Sequence, residues 1–458
     1  VKEEKLIMKT LKVINQNGSC CTPAKEIEVQ ETVNNSNKNL PIVIIGAGPI
    51  GLAAAAHLVE QKQAFILLEA GREIAHNIRT WGHVTLFSPW RYNINKAAKA
   101  LLDASNWVEP NLDMLPTGNE LIDQYLKPLS EVVQIQPNIQ LNAKVVGISR
   151  QFNDKMKTKN RVEQSFNIYV EQENDINIIE AKAVIDATGT WGNPNPANTT
   201  GVWLQNEKAL ANHIEYGIPD INSNAKRYAN KKIAVIGGGH SAINTLLALA
   251  ELQEENPTTK LVWIMRKKSV EEAYGGEEKD ALAARGALGV RIHELVDTGK
   301  VEVITPFYIS QLKKDESIQI VGNINGETKV LTGFEELIVN AGNRPDFTIN
   351  SEIRLSIDAA TESVQALAPL IDPNEHSCGT VRAHGEEILR QPEKDFYIVG
   401  AKSYGRAPTF LMATGYEQVR SITAYLSGDK EASKRVELEL PETGVCGINL
   451  ANQSNSCC

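Results

Sequence analysis

Cysteine is scarce in this chain. Six are present in 458 residues, at Cys20, Cys21, Cys378, Cys446, Cys457 and Cys458. That density excludes a disulfide scaffold, and no two of them stand in the C-x-x-C spacing of a redox dithiol. Excess positive charge is also missing: Lys and Arg total 47 against 56 Asp and Glu, for a net charge of -9. With no long basic run, nothing favours nucleic acid or an anionic membrane as partner. The opening VKEEKLIMKTLKV lacks the apolar core of a signal peptide, so cytoplasmic residence is expected. The uncharged run from Ile42 to Val59 is broken by Gly46, Gly48, Pro49, Gly51 and His57, which argues against membrane insertion. What remains is a chain with 42% hydrophobic residues, long enough for about three domain-sized units.

Two glycine fingerprints are present, each after an apolar strand and at the mouth of a helix. The first, IVIIGAGPIGLAAAAHL, sets Gly46, Gly48 and Gly51 in G-x-G-x-x-G spacing, with Ala47 and Pro49 inside the turn. The strand expected at Ala64 to Leu68 then ends in Glu69, close to the usual ~20-residue offset of a ribose-binding acid. This unit predicts FAD or NAD. The second, IAVIGGGHSAINTLLAL, has Gly237, Gly239 and Ala242 in G-x-G-x-x-A spacing with His240 and Ser241 between. Its following strand KLVWIM runs into Arg266, Lys267 and Lys268 instead of an acid, and such cations suit the 2′-phosphate of NADPH. In both, glycine lets the backbone turn tightly against a pyrophosphate, and the helix N-terminus offers unpaired N–H groups to the anion. The expected fold class is α/β, with two Rossmann-like dinucleotide-binding domains.

Further segments carry a resemblance. AKAVIDATG at Ala181 to Gly189, NAGNRP at Asn340 to Pro345 and DFYIVGA at Asp395 to Ala401 resemble the return segments of two-dinucleotide-binding flavoproteins. That resemblance implies an N-terminal tail at 1–39, an FAD domain at 40–204 and 341–430, an inserted NADPH domain at 205–340, and a C-terminal tail at 431–458. It also implies FAD contacts from Thr188, Gly189, Gly400 and Val145, and a helix from Pro408 to Ala424 under the flavin. The cysteine pairs of the disulfide-reductase branch are missing. The stretch ATGTWGNPNP at Ala187 to Pro196 looks most like the flavin-containing and N-hydroxylating monooxygenases, in which NADPH supplies electrons and O2 the oxygen atom. Two departures stand out: the F-x-G-x-x-x-H signature of that group is absent before Ile233, and Ala401 stands where a Gly-Asp pair is usual. Backbone N–H groups are therefore expected to contact the ribityl chain.

Flavin-side candidates come from WGHVTLFSPW at Trp81 to Trp90, with Trp81, Phe87, Ser88 and His83 prominent. Core packing accounts for Trp81, Phe87 and Trp90 equally well. His83 reads more simply as a surface or hydrogen-bonded histidine. His376, Cys378 and His384 cluster before the last FAD segment and are candidates for the substrate pocket, with a buried free thiol as the alternative. Gly405 and Arg406 in SYGRAPTF are expected to cap the flavin.

The ends of the chain hold vicinal cysteines, Cys20–Cys21 and Cys457–Cys458, with Cys446 nearby. Adjacent Cα atoms lie ~3.8 Å apart, short of the ~4.4–6.8 Å across most disulfides. Such pairs suit chelation of a soft thiophilic centre, as trivalent arsenic is. MKTLKV with GSCC, and TGVCG with a terminal SCC, resemble the arsenic metallochaperone family. The combined expectation is an FAD- and NADPH-dependent monooxygenase that oxidises a trivalent arsenical, arsenite or methylarsenite, to the pentavalent form. An amine or thioether monooxygenase, an NADPH-dependent metal or metalloid reductase, and a non-catalytic metalloid carrier are the alternatives.

Overall fold

The computed structural model describes residues 39–172, 175–280, 283–374 and 383–438. All six cysteines and His376 lie outside them.

The uncharged run at Ile42 resolves into strand, glycine turn and helix: β1 (Ile42–Ile45) and α1 (Pro49–Glu60). β1 is buried along its whole length, as expected of a parallel strand covered on both faces, where an unbroken β-branched run replaces alternation. β2 (Phe65–Leu68) and β3 (Ile139–Gln140) extend the sheet on one side. The chain then makes an antiparallel excursion through β4 (Lys144–Arg150), β5 (Phe166–Gln172) and β6 (Asp175–Ala181). It returns on the opposite side of β1 as β7 (Ala183–Asp186), with Ile45 in register with Asp186.

A second parallel sheet follows. It contains β8 (Ile214–Tyr216), β9 (Lys232–Ile236), β10 (Lys260–Ile264), β11 (Val301–Ile304) and β15 (Glu336–Val339), in the order β11-β10-β9-β15-β8. Between β11 and β15 lies another antiparallel meander, β12 (Tyr308–Lys314), β13 (Ile318–Ile324) and β14 (Glu327–Phe334). Alternation along β9 divides the packing. Ile233 and Val235 join the core with Ile243 and Leu246 of α2 (His240–Glu255) and Ile292 of α3 (Ala283–Asp297). Ala234 and Ile236 face the opposite way, onto Ile309, Ile320 and Phe334 of the meander. Helices therefore cover one face and a small sheet the other.

β16 (Phe396–Ile398) closes the first sheet beside β7, giving the order β16-β7-β1-β2-β3. The last long helix, α4 (Met412–Leu426), packs against α1. It begins later than the expected Pro408, because Leu411 is extended and Phe410 to Met412 turn onto a cavity instead. The two chain crossings between the sheets are tied together, Asn195 N–H donating to Gly342 O at 2.9 Å and Arg344 N–H to Asn193 O at 3.0 Å. Among the described residues no helix is long and apolar enough to cross a membrane.

Candidate functional site

Each parallel sheet reverses its strand order once, between β1 and β7 and between β9 and β15. In open α/β sheets ligands sit beyond the carboxyl ends of the strands at that switch point. Both glycine fingerprints fall there.

At the first, Gly46 has φ +101°, and a Cβ on it would stand 2.7 Å from Ala187 O. A Cβ on Gly51 would stand 1.9 Å from Gly46 O, so both positions exclude any larger residue. Gly48 faces open space, and no side chain caps the start of α1, where Pro49 is the first helical residue. An uncapped helix end beside open space is the arrangement that receives a phosphate. A cavity of about 420 Å³ opens from this turn. Gly46, Gly48, Pro49 and Ile50 form one wall, and Thr188 and Gly189, with Gly400 and Ala401, form another. Trp81, Phe87, Ser88, Trp191, Phe410 and Met412 also line it. The indoles of Trp81 and Trp191 lie 6.0 Å apart at 56°, and Trp191 Nε1–H donates to Thr80 Oγ1 at 2.8 Å.

Glu69 lines this cavity with both carboxylate oxygens already engaged. Oε2 accepts the N–H of Ala47 at 2.9 Å and Oε1 that of Gly71 at 2.8 Å. Each oxygen retains a second lone pair for a ribose hydroxyl, so the acid braces the turn as well as facing the ligand. His76, which sequence reasoning passed over, also lines the cavity, and its Nδ1 is buried with no hydrogen-bond partner among the described residues. Its ring occupies the space above Gly71, where a Cβ would come within 2.4 Å of the His76 Cβ. An orphaned ring nitrogen, an uncapped helix end and aromatic walls fit the polar and planar parts of a flavin dinucleotide.

Behind the wall lies a buried ion pair that the sequence did not reveal. Lys402 Nζ, 1% exposed, donates to Asp186 Oδ2 at 2.7 Å and to Thr188 Oγ1 at 3.1 Å. Asp186 Oδ1 also accepts the Thr188 hydroxyl at 2.7 Å, and Asn350 Nδ2 donates to Oδ2 at 3.2 Å. The ends of β7 and β16 are thereby fixed around Thr188. The Gly400 N–H, expected to serve the ribityl chain, donates instead to Gln418 Oε1 at 2.7 Å.

Several expected positions fall elsewhere. Val145 pairs with Val170 inside the β4–β6 meander and does not line the cavity, because that excursion leaves the parallel sheet. Gly405 has φ +61° and packs against Thr361 O, and the Arg406 N–H donates to that oxygen at 2.8 Å. Both sit on the 358–363 turn, off the cavity. His384 is buried one layer back, its Nε2 2.9 Å from Gln418 Nε2 and its ring 5.5 Å from that of Tyr404. Burial pushes the Tyr404 phenol well above its ordinary range. His83 lies on a neighbouring crevice and Trp90 is core. Ser88 donates its hydroxyl to buried Asn93 at 2.9 Å, leaving only acceptor lone pairs toward the cavity.

At the second fingerprint Gly237 has φ +136°, and a Cβ there would stand 2.3 Å from Asn340 O. α2 starts uncapped after Gly239, with His240 and Ser241 in its first turn and Ala242 fully buried. Lys267 crosses Gly238, and its ammonium donates to Glu272 O at 2.6 Å. Arg266 beside it is exposed. Burial, then the nearby charges of Arg285 and Lys267, hold the His240 imidazole below its ordinary pKa, outweighing Asp280. The His240 ring lies 5.9 Å from Phe87, so the second turn reaches the wall of the first cavity through one aromatic contact.

Two switch-point glycine turns, one opening on an aromatic cavity, define a two-dinucleotide oxidoreductase fold. The chain belongs to the pyridine nucleotide-disulphide oxidoreductase family, which matches residues 43–377. It is 27% identical over 305 residues to a ferredoxin–NADP reductase of Lactiplantibacillus plantarum, spanning 66% of this chain and 72% of that protein. Bacillithiol disulfide reductase Bdr from Bacillus cereus shares the fold at TM-score 0.62 and 17% identity, over 85% of this chain and 98% of that one. The FAD-bound cadaverine monooxygenase DfoA of Erwinia amylovora does so at TM-score 0.60 and 12% identity, over 91% and 99%.

Proposed function

We propose that the chain is an FAD- and NADPH-dependent oxidoreductase of the monooxygenase type, acting on a trivalent arsenical. Residues 40–204 and 341–430 form the FAD unit and 205–340 the NADPH unit. The contact of Phe87 with His240 carries the reading, because it brings the NADPH turn to the wall of the flavin cavity.

The first turn and α1 hold the pyrophosphate, Glu69 the ribose, and His76 a further polar atom of the nucleotide. The aromatic walls enclose the ring and exclude water. Arg266, with Lys267, meets the 2′-phosphate of NADPH. FAD, when bound, supplies a relay that accepts two electrons from NADPH and passes them to O2, and the protein contributes orientation and a dry cavity. In the net reaction NADPH and a proton are consumed, one atom of O2 is bonded to arsenic through the arsenic lone pair, and the other leaves as water. Cys446, Cys457 and Cys458, with Cys20 and Cys21, capture the arsenical by their thiolates.

A reductase that hands electrons to another acceptor is the second reading, favoured by the relatives named ferredoxin–NADP reductase. Steady-state NADPH oxidation with arsenite, methylarsenite and ferricyanide separates them. Stimulation by an arsenical with matching consumption of O2 supports the monooxygenase. Activity with ferricyanide alone replaces it with the reductase.

A further inference from the structure

Next to the flavin cavity lies a second space of about 530 Å³, within the size range of small-molecule sites. The two share Leu86 and Phe87, so one aromatic ring faces both. The far walls come from Leu247 and Ala248 of α2 and Ala287 and Leu288 of α3. These helices meet the 83–87 loop because Phe87 is seated on His240, with the Arg285 guanidinium 6.0 Å from its ring.

The charged groups on the rim already have partners. Arg291 pairs with Glu251 at 3.2 Å. Asp220 accepts the Ser223 hydroxyl at 2.6 Å and the Ser223 N–H at 3.0 Å, and it feels the attraction of His83. Burying a charged ligand against the aliphatic part of the walls would be costly. An apolar body gains by leaving water for these aliphatic walls.

From this geometry we infer that the crevice behind Phe87 binds the reducible enzyme's substrate as an uncharged molecule with an apolar body and a soft nucleophilic atom. Resting on the arsenical reading, the class is an organic trivalent arsenical, RAs(OH)2 with an alkyl or aryl group, in preference to As(OH)3. Thr85, Asn222 and Asn244 also line the crevice and can meet the hydroxyls of either molecule, whereas only an organic substituent fills the space along Leu247, Ala248 and Leu288.

Ala287 is exposed and Ala248 half-buried, so tryptophan at either fills the crevice from its rim without disturbing the core. The test uses the FAD-loaded full chain, Ala248→Trp and Ala287→Trp. One arm measures turnover of phenylarsenite and arsenite. The other measures binding of methyl phenyl sulfide, an uncharged aromatic without thiol affinity, through the visible spectrum of the flavin. The Michaelis constant for phenylarsenite is expected to rise roughly tenfold in each variant, the scale of losing one buried ring. That for arsenite is expected to change less than about twofold, while FAD content and flavin reduction by NADPH stay constant. The sulfide is expected to bind the parent protein and to bind the variants roughly tenfold more weakly. Unchanged constants for phenylarsenite in both variants overturn the crevice. If no arsenical is turned over by the parent protein, the arsenical reading fails by itself and the sulfide arm decides the crevice: weakened binding in the variants upholds it, and absent or unchanged binding removes it.

Discussion

Lys402→Met tests how the cavity wall is held. The substitution removes the cation that faces Asp186 at 2.7 Å and leaves a carboxylate that is 0% exposed. Deleting one partner of a buried pair costs about 3–5 kcal/mol. Asp186 keeps three donors, the Thr188 N–H, the Thr188 hydroxyl and Asn350 Nδ2. The expected loss is therefore near the lower end, about 3 kcal/mol. Removing both charges in Asp186→Asn/Lys402→Met takes away the uncompensated carboxylate, and about 2 kcal/mol is expected to return. In the single variant Thr188 loses the Lys402 bond at 3.1 Å while keeping those to Asp186, so FAD affinity is expected to fall together with stability. Urea unfolding followed by release of flavin fluorescence reads both effects. A loss under about 1 kcal/mol for the single variant, or a double variant no more stable than it, would refute the assignment of this pair as the clamp on Thr188.

Gly48→Val projects a side chain into the open space before α1, so the protein is expected to fold yet retain little FAD; full occupancy by absorbance would end the phosphate-turn assignment. Arg266→Ala is expected to raise the Michaelis constant for NADPH by tenfold or more and that for NADH by under twofold, since only NADPH carries the phosphate dianion; equal effects would reduce Arg266 to a solvated strand end. Glu393 is buried, which alone would raise its pKa, but bonds from Arg161 at 2.7 Å and Arg150 at 2.8 Å hold it below the usual carboxylate range. A carboxyl depressed on folding contributes stability above its unfolded pKa and loses it as pH falls through the folded value. Thermal melts of the parent from pH 6 down to pH 3 are expected to show this loss, and Glu393→Gln a shallower slope over the same interval. An identical slope would assign the acid sensitivity to other groups.

What could be read from sequence was what depends on local spacing. Both fingerprints stand where the strand order reverses, because glycine turns, uninterrupted β-branched strands and helix starts are encoded within a few neighbouring residues. Glu69 was legible for the same reason, although its bracing of Ala47 was not. The misplaced residues all depended on tertiary register. Val145 sits on a strand of the right composition in a sheet that leaves the cavity, and Gly405 and Arg406 follow a short helix that turns them onto Thr361. His76 carried only a weak signal, a histidine shortly after the ribose acid. Lys402 carried less, since a lysine beyond the last strand gives no hint that it is buried against Asp186, which lies 216 positions earlier.

If the proposed function holds, the two nucleotide sites cooperate to move electrons from NADPH through FAD to O2 and an oxygen atom to arsenic. Reduction of the FAD-loaded protein with NADPH under anaerobic conditions, followed by rapid mixing with ¹⁸O2 and methylarsenite, tests it in one experiment. Bleaching of the flavin by NADPH, return of its colour with O2, and one ¹⁸O atom in the pentavalent arsenical are expected. Bleaching and recovery with an unlabelled or unoxidised arsenical would contradict the monooxygenase, and a flavin left unbleached by NADPH would contradict the pairing of the two sites.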